Sequence, residues 1–139
     1  MIQDNKENQM LSFKGSMKAT LRKSDNSVIV YNRDNLIVDV GFDLICDALG
    51  EASRPALISH IAVGTGAVAA AAGDTALSTE LSRLSATYDH TASTKVFTMT
   101  VTFAAGIATG ALTEAGVFNA VSVGIMLDRV VFPVINKGA

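Results

Sequence analysis

The sequence has no tryptophan, one cysteine and two prolines. A lone Cys46 excludes an internal disulfide, which fits folding in a reducing cytosol. Zinc sites announce themselves as Cys and His pairs at short spacing. Here the candidates are Cys46, His60 and His90, widely separated, so no metal site is expected. Charge is also sparse. Charged residues make up 17% of the chain, below the roughly one quarter usual for globular domains. The formal net charge is only -2, and no Lys/Arg block reaches the length of a nucleic-acid or membrane-surface patch. The longest weakly apolar run, residues 61–73, is too short and too rich in Ala and Gly to span a bilayer. The N-terminal residues MIQDNKENQM lack the apolar segment of a signal peptide. With no Trp, and Tyr31 and Tyr88 as the two tyrosines, an aromatic platform for sugars is weakly supported.

What is present is apolar and small. Hydrophobic residues make up 49% of 139 residues, enough for one domain with one core. Residues 1–12 are polar and aperiodic and read as an extended N-terminal arm. Residues 13–139 read as a single β-rich domain. The arm is expected to lie on a neighbouring subunit, with Met10, Leu11 and Phe13 as its anchors.

Residues 16–23 alternate: Met17, Ala19 and Leu21 point one way, Lys18, Thr20 and Arg22 the other. That is the period of a half-buried strand. Lys14, Lys18, Arg22 and Lys23 then mark its outer face. Ser24-Asp25-Asn26 is turn chemistry, and residues 27–32 complete a hairpin. Phe42, Ile45, Cys46 and Leu49 fall on one helical stripe, which predicts a helix over 39–50. Asp39 is placed to cap its start and Gly50 to close its end. Cys46 on that stripe reads as a small buried hydrophobe.

Further strands are expected at 57–64, 83–90, 95–103, 112–119 and 124–132, with a single helical turn over 76–81. In the third of these, Phe97, Met99, Val101 and Phe103 alternate with threonines. Pro133 is expected to end the last strand or place it at an edge. The fold class is therefore mainly β: an antiparallel sandwich or jelly-roll-like domain with one α-helix.

Nothing here assembles a catalytic set. A nucleophile needs an adjacent base and an orienting group, and no spacing brings His60, His90, Cys46 and a serine together. Asp39, Asp43 and Asp47 recur every four residues and make an acidic helix face. Gly64-Thr65-Gly66 fits neither a Walker loop nor a dinucleotide loop; it reads as a flexible turn or a close-packing surface. Glu114 sits among apolar neighbours, with Arg129 as a structural partner on the next strand. No enzyme activity and no cofactor are expected.

Five phrases occur together: IAVGTG (61–66), DTALSTELSR (74–83), VTF (101–103), LTEAGVFNA (112–120) and MLDRVVFPVINKG (126–138). Their order and spacing resemble structural proteins of tailed bacteriophages, both the virion-attachment domains of some tail fibres and small stand-alone virion proteins. The resemblance covers roughly residues 36–138. It lacks the trimeric shaft that follows in a fibre. It therefore implies a capsid decoration (cement) protein, localised to the virion and assembled in the host cytoplasm. The implied partners are the major capsid protein and further copies of the chain, a homo-oligomer of trimeric type. A tail-fibre-attachment or baseplate adaptor is the alternative. Phe132, Pro133, Val134 and Ile135 join the arm as candidate contact residues; for Phe132 and Val134, completing the domain's own core is an equal reading.

Overall fold

The computed structural model describes residues 12–139. Met10, Leu11 and nearly all of the expected arm lie outside the described residues. The elements run β1 (Gly15–Arg22), β2 (Val28–Ile37), α1 (Asp39–Gly50), β3 (His60–Gly64), β4 (Glu80–Ser85), β5 (Thr87–His90), β6 (Phe97–Thr100), β7 (Gly110–Phe118) and β8 (Met126–Lys137). Every strand pairing is antiparallel. Six strands form one sheet in the order β1-β2-β8-β7-β3-β4, and β5 and β6 form a separate ribbon. The mainly β, antiparallel class with one helix is what the periodicities predict.

The β1–β2 hairpin turns where the chemistry asks it to. Asn26 takes a positive φ of 64°, which Asn tolerates better than most residues. The Ser27 backbone N–H donates to Asp25 Oδ1 at 2.9 Å. β2 then outruns its expected end at residue 32. It pairs with β1 along that strand's whole length, and at Leu36 and Ile37 it joins Arg129 and Asp128 of β8. The rest of the hairpin leaves the β8 edge and lays Met17, Ala19, Leu21 and Tyr31 against a core that includes Val63, Ala115, Val130 and Phe132. A sandwich-like second layer results. The opposite sheet face buries a smaller cluster of Val38, Ala62, Leu77, Phe118 and Met126.

α1 spans the predicted residues, but it is held differently. Val38, not Asp39, occupies the N-cap, and no side chain caps the start. Gly50 is the last helical residue, and the cap beyond it is Glu51. The helix sits down on β8 through Gly41, where a Cβ would strike the Leu127 carbonyl. Its buried residues are Gly41 and Leu44. The expected stripe is thereby rotated outward: Phe42 and Leu49 are exposed, and so is Cys46, contrary to its reading as a buried hydrophobe.

Four other expectations change. The strand expected over 83–90 is broken at Ala86, so that Arg83–Ser85 belongs to β4 of the six-stranded sheet and Thr87–His90 forms β5 of the ribbon. No helical turn forms over 76–81; Glu80 already begins β4. The strand expected over 95–103 is confined to Phe97–Thr100 and lies in the exposed ribbon. β8 continues past Pro133 to Lys137. Proline is tolerated there because the β7–β8 register shifts opposite it, between Leu112 and Glu114, and because β2 pairs with β8 only at Arg129 and Asp128. An irregular, one-sided stretch of strand needs no N–H from that residue.

Candidate partner-binding surface

A buried ion network sets the shape of the domain. Glu114 on β7 and Arg129 on β8 are 0% and 1% exposed. Glu114 Oε1 accepts the backbone N–H groups of Thr79 at 2.7 Å and Gly66 at 3.0 Å. Its Oε2 accepts the Ser78 N–H at 2.9 Å, Arg129 Nη2 at 2.8 Å and Arg129 Nε at 3.1 Å. Arg129 also donates through Nη1 to Asp74 Oδ2 at 2.7 Å and through Nη2 to the Val68 carbonyl at 2.8 Å and Ser78 Oγ at 2.9 Å. Every guanidinium nitrogen is thus satisfied, the condition under which a buried ion pair is tolerated.

The network fastens the 65–79 loop to the sheet. Gly66 is buried in it, and a Cβ there would strike the Glu114 carboxylate. The loop is therefore a close-packed lid over one sheet face rather than a flexible turn. The Ser78 and Thr79 amides point at a carboxylate, which is why the expected helical turn does not form. Burial alone would push the Glu114 carboxyl up. The donated bonds from Thr79, Arg129, Ser78 and Gly66 outweigh it and hold the group below its ordinary range. Asp74 is likewise lowered, chiefly by the Ala71 N–H and then by Arg129. Nearby, Arg83 on β4 stacks 3.6 Å over the Phe118 ring and donates to the Ala120 and Val123 carbonyls. These contacts bind the phrases 61–66, 74–83, 112–120 and 126–138 into one unit. The sequence signals Glu114 and Arg129, but nothing local ties Asp74, Ser78 and Thr79 to them across 35 to 55 residues.

A second surface, beside Leu127 and Asp128 of β8, is apolar and open. Phe13 meets Phe42 edge-on, with ring centroids 6.5 Å apart. A groove of about 320 Å³ runs between α1, the 55–58 segment and the ribbon, lined by Ile45, Leu49, Leu57, Tyr88 and Phe97 among others. Leu57 is 83% exposed and Leu49 is 72% exposed. Tyr88 and Phe97 stack 5.3 Å apart across the ribbon. A two-stranded ribbon alone is marginal in water, and contiguous exposed apolar surface of this kind is uncommon on a monomer. At the groove's floor, Asp128 is buried, bonded by Asn35 Nδ2 at 3.0 Å and the Val117 N–H at 3.3 Å. Burial pushes its carboxyl up, and those two bonds offset only part of the rise. Asn35 Oδ1 is buried without a partner among the described residues.

The candidate contact residues divide. Phe13 lines the groove. Phe132 and Ile135 are core residues, packed with Val130 and Leu112. Pro133 and Val134 face outward. Periodicity gave no sign of Leu57, Tyr88 or Phe97 as surface groups, because an apolar stripe looks the same whether its own domain or a partner covers it. His60 Nδ1 lies 2.8 Å from Ser59 Oγ, and His90 Nδ1 lies 2.6 Å from the Val96 carbonyl. The two histidines sit in β3 and at the end of β5, so neither meets Cys46 on α1 through these contacts. Comparison of the chain with protein-family models, with curated proteins and with solved structures finds no match.

Proposed function

We propose that this chain is a virion structural protein of a tailed bacteriophage, which decorates the capsid and stabilises it by bridging major capsid subunits. The observation that carries the reading is the open apolar surface built from α1, the 55–58 segment and the ribbon. It has the make-up of a docking surface: aromatic and aliphatic groups, clustered and exposed. No catalytic role and no cofactor form part of the proposal. The phage assignment rests on the resemblance of the five phrases. The buried network supports treating four of them as one module, since Gly66, Asp74, Ser78, Thr79, Glu114 and Arg129 all fall within them.

Its partners in this reading are the major capsid protein and further copies of itself, and its location is the virion, assembled in the host cytoplasm. Particle mass spectrometry with a whole-particle reconstruction tests it. A decoration protein appears in hundreds of copies on the outer shell. Copies in small multiples of three or six, placed at the tail, would replace this reading with the tail-fibre-attachment or baseplate adaptor. Absence from purified particles would overturn both.

A further inference from the structure

α1 carries an electrostatic conflict. Asp39, Asp43 and Asp47 recur at i, i+4, and Glu51 follows at the same spacing. Like charges at that spacing destabilise a helix, and acids in the last turn oppose its dipole. No basic residue stands in that last turn. The exposed part of the helix is thus divided lengthwise. Phe42, Leu49 and the half-buried Ile45 form an apolar flank, and Asp39, Asp43 and the half-buried Asp47 form an acidic flank beside it.

A surface of matching make-up stands elsewhere on the same chain. On the outer face of the β1–β2 hairpin, Lys18, Thr20 and Arg22 lie opposite Asn32, Val30 and Val28. All six are exposed, and the two valines are each 47% exposed. Val28 and Val30 occupy the β2 side of this face toward the tip, and Lys18 and Arg22 the β1 side, with Lys23 and Asp25 at the turn and Asp34 at the base opposite Ser16. It cannot fold back on its own helix. β1 starts beside α1, where Phe13 touches Phe42, and runs up to about 23 Å away from there by its tip. Among the described residues, none of these groups joins an ion pair.

We propose that the apolar and acidic flanks of α1 receive the outer face of the β1–β2 hairpin from a second copy of this chain. The contact is head-to-tail, so it uses different patches on the two partners and builds a closed ring when the rotation between copies closes. Val28 and Val30 cover the apolar flank, while Lys18, Arg22 and Lys23 neutralise Asp43, Asp47 and Glu51. The helix then tolerates its self-repulsion because assembly removes it. This inference rests on the reading of the chain as a self-associating particle protein and names the surfaces that associate.

Light scattering on the purified full chain reads the assembly. The wild type runs as a multiple of 14.5 kDa, and its dissociation constant rises with salt. The pair Asp43→Lys with Asp47→Lys weakens association about tenfold or more, as does Lys18→Glu with Arg22→Glu, because each places like charges across the contact. The four substitutions together return it to within about threefold of wild type. Thermal denaturation confirms that each variant folds. Carbodiimide coupling of the unaltered protein gives a second readout: Lys18 or Lys23 joined to Asp43, Asp47 or Glu51 of another copy. A wild type that stays monomeric at about 100 µM overturns the proposal, since contacts of this class form well below that. So does a four-fold variant that fails to reassociate, or an oligomer that ignores charge and is lost when residues 1–11 are removed. Addition to capsids is scored separately: a ring that forms by this contact but never binds particles refutes the virion reading and leaves this contact standing.

Discussion

Arg129 Nη2 meets Glu114 Oε2 at 2.8 Å, with both side chains shut away from solvent. Removing one partner strands the other, and breaking a buried pair in this way costs about 3–5 kcal/mol. Glu114→Gln is therefore expected to lose about 3 kcal/mol, with a fall in Tm on the order of 10 °C. Arg129→Met loses a comparable amount by leaving the carboxylate unmatched. The double variant loses less than the sum of the two, since neither charge is then stranded. Urea denaturation of all four proteins completes the cycle, and strictly additive losses would contradict the network.

The same network gives the acid response its sign. Glu114 and Asp74 are both held below their ordinary range in the folded state. Their stabilisation is fully present above the ordinary carboxylate range and is lost as pH falls through the lowered values. Wild-type stability should decline from about pH 4.5 downward. Glu114→Gln should flatten that decline, as read by Tm across pH 2–6.

β1 and α1 were legible because each keeps a clean period. β1 alternates, and α1 repeats at helical spacing. What covers each apolar stripe was not legible. Phe42, Cys46 and Leu49 have the spacing of a core face, yet Gly41 and Leu44 are the residues that meet β8. The reason is steric: Gly41 lets the helix backbone approach the Leu127 carbonyl, and that close approach fixes the rotation of the helix. The 65–79 lid was hidden for a related reason. Its fold depends on long-range bonds to Glu114 and Arg129, which no local propensity encodes.

Gly66→Ala tests the lid. The new methyl would collide with the Glu114 carboxylate and lie 2.5 Å from Ser78 Cβ. Overpacking of this kind costs about 1–3 kcal/mol. Gly73→Ala, with nothing within 4 Å of its added Cβ, is the control and should be near neutral. Hydrogen exchange should show faster opening at Ser78 and Thr79 in the first variant and not in the second.

Asp128→Asn should act in the opposite direction. Burial raises the Asp128 carboxyl in the folded state, so its ionisation is a cost that grows as pH rises from the unfolded value through the folded one. An amide removes that cost. Its oxygen still accepts the Val117 N–H, and once the Asn35 amide turns over its NH2 donates to Asn35 Oδ1 in exchange for the bond that Asn35 Nδ2 now gives. The variant is expected to gain about 1 kcal/mol at pH 7. The gain should vanish below about pH 3.8, where Asp128 is protonated in both states. Paired urea titrations at pH 3.5 and pH 7 check it, and an equal gain at both would assign the effect to something other than ionisation.

Leu57→Ser and Leu49→Ser separate packing from docking. At 83% and 72% exposure these leucines contribute little to the domain's own core. Substitution at such sites usually changes stability by no more than about 0.5 kcal/mol. If instead a partner covers them, each truncation removes a contact at the centre of an apolar patch, where losses of about 1–2 kcal/mol are typical. The two variants should therefore melt like the wild type while self-association or particle binding weakens about fivefold or more. Binding of an apolar dye to the isolated chain should fall in parallel, since the groove is its natural site. A drop in Tm with unchanged association would place these side chains in the folding core instead.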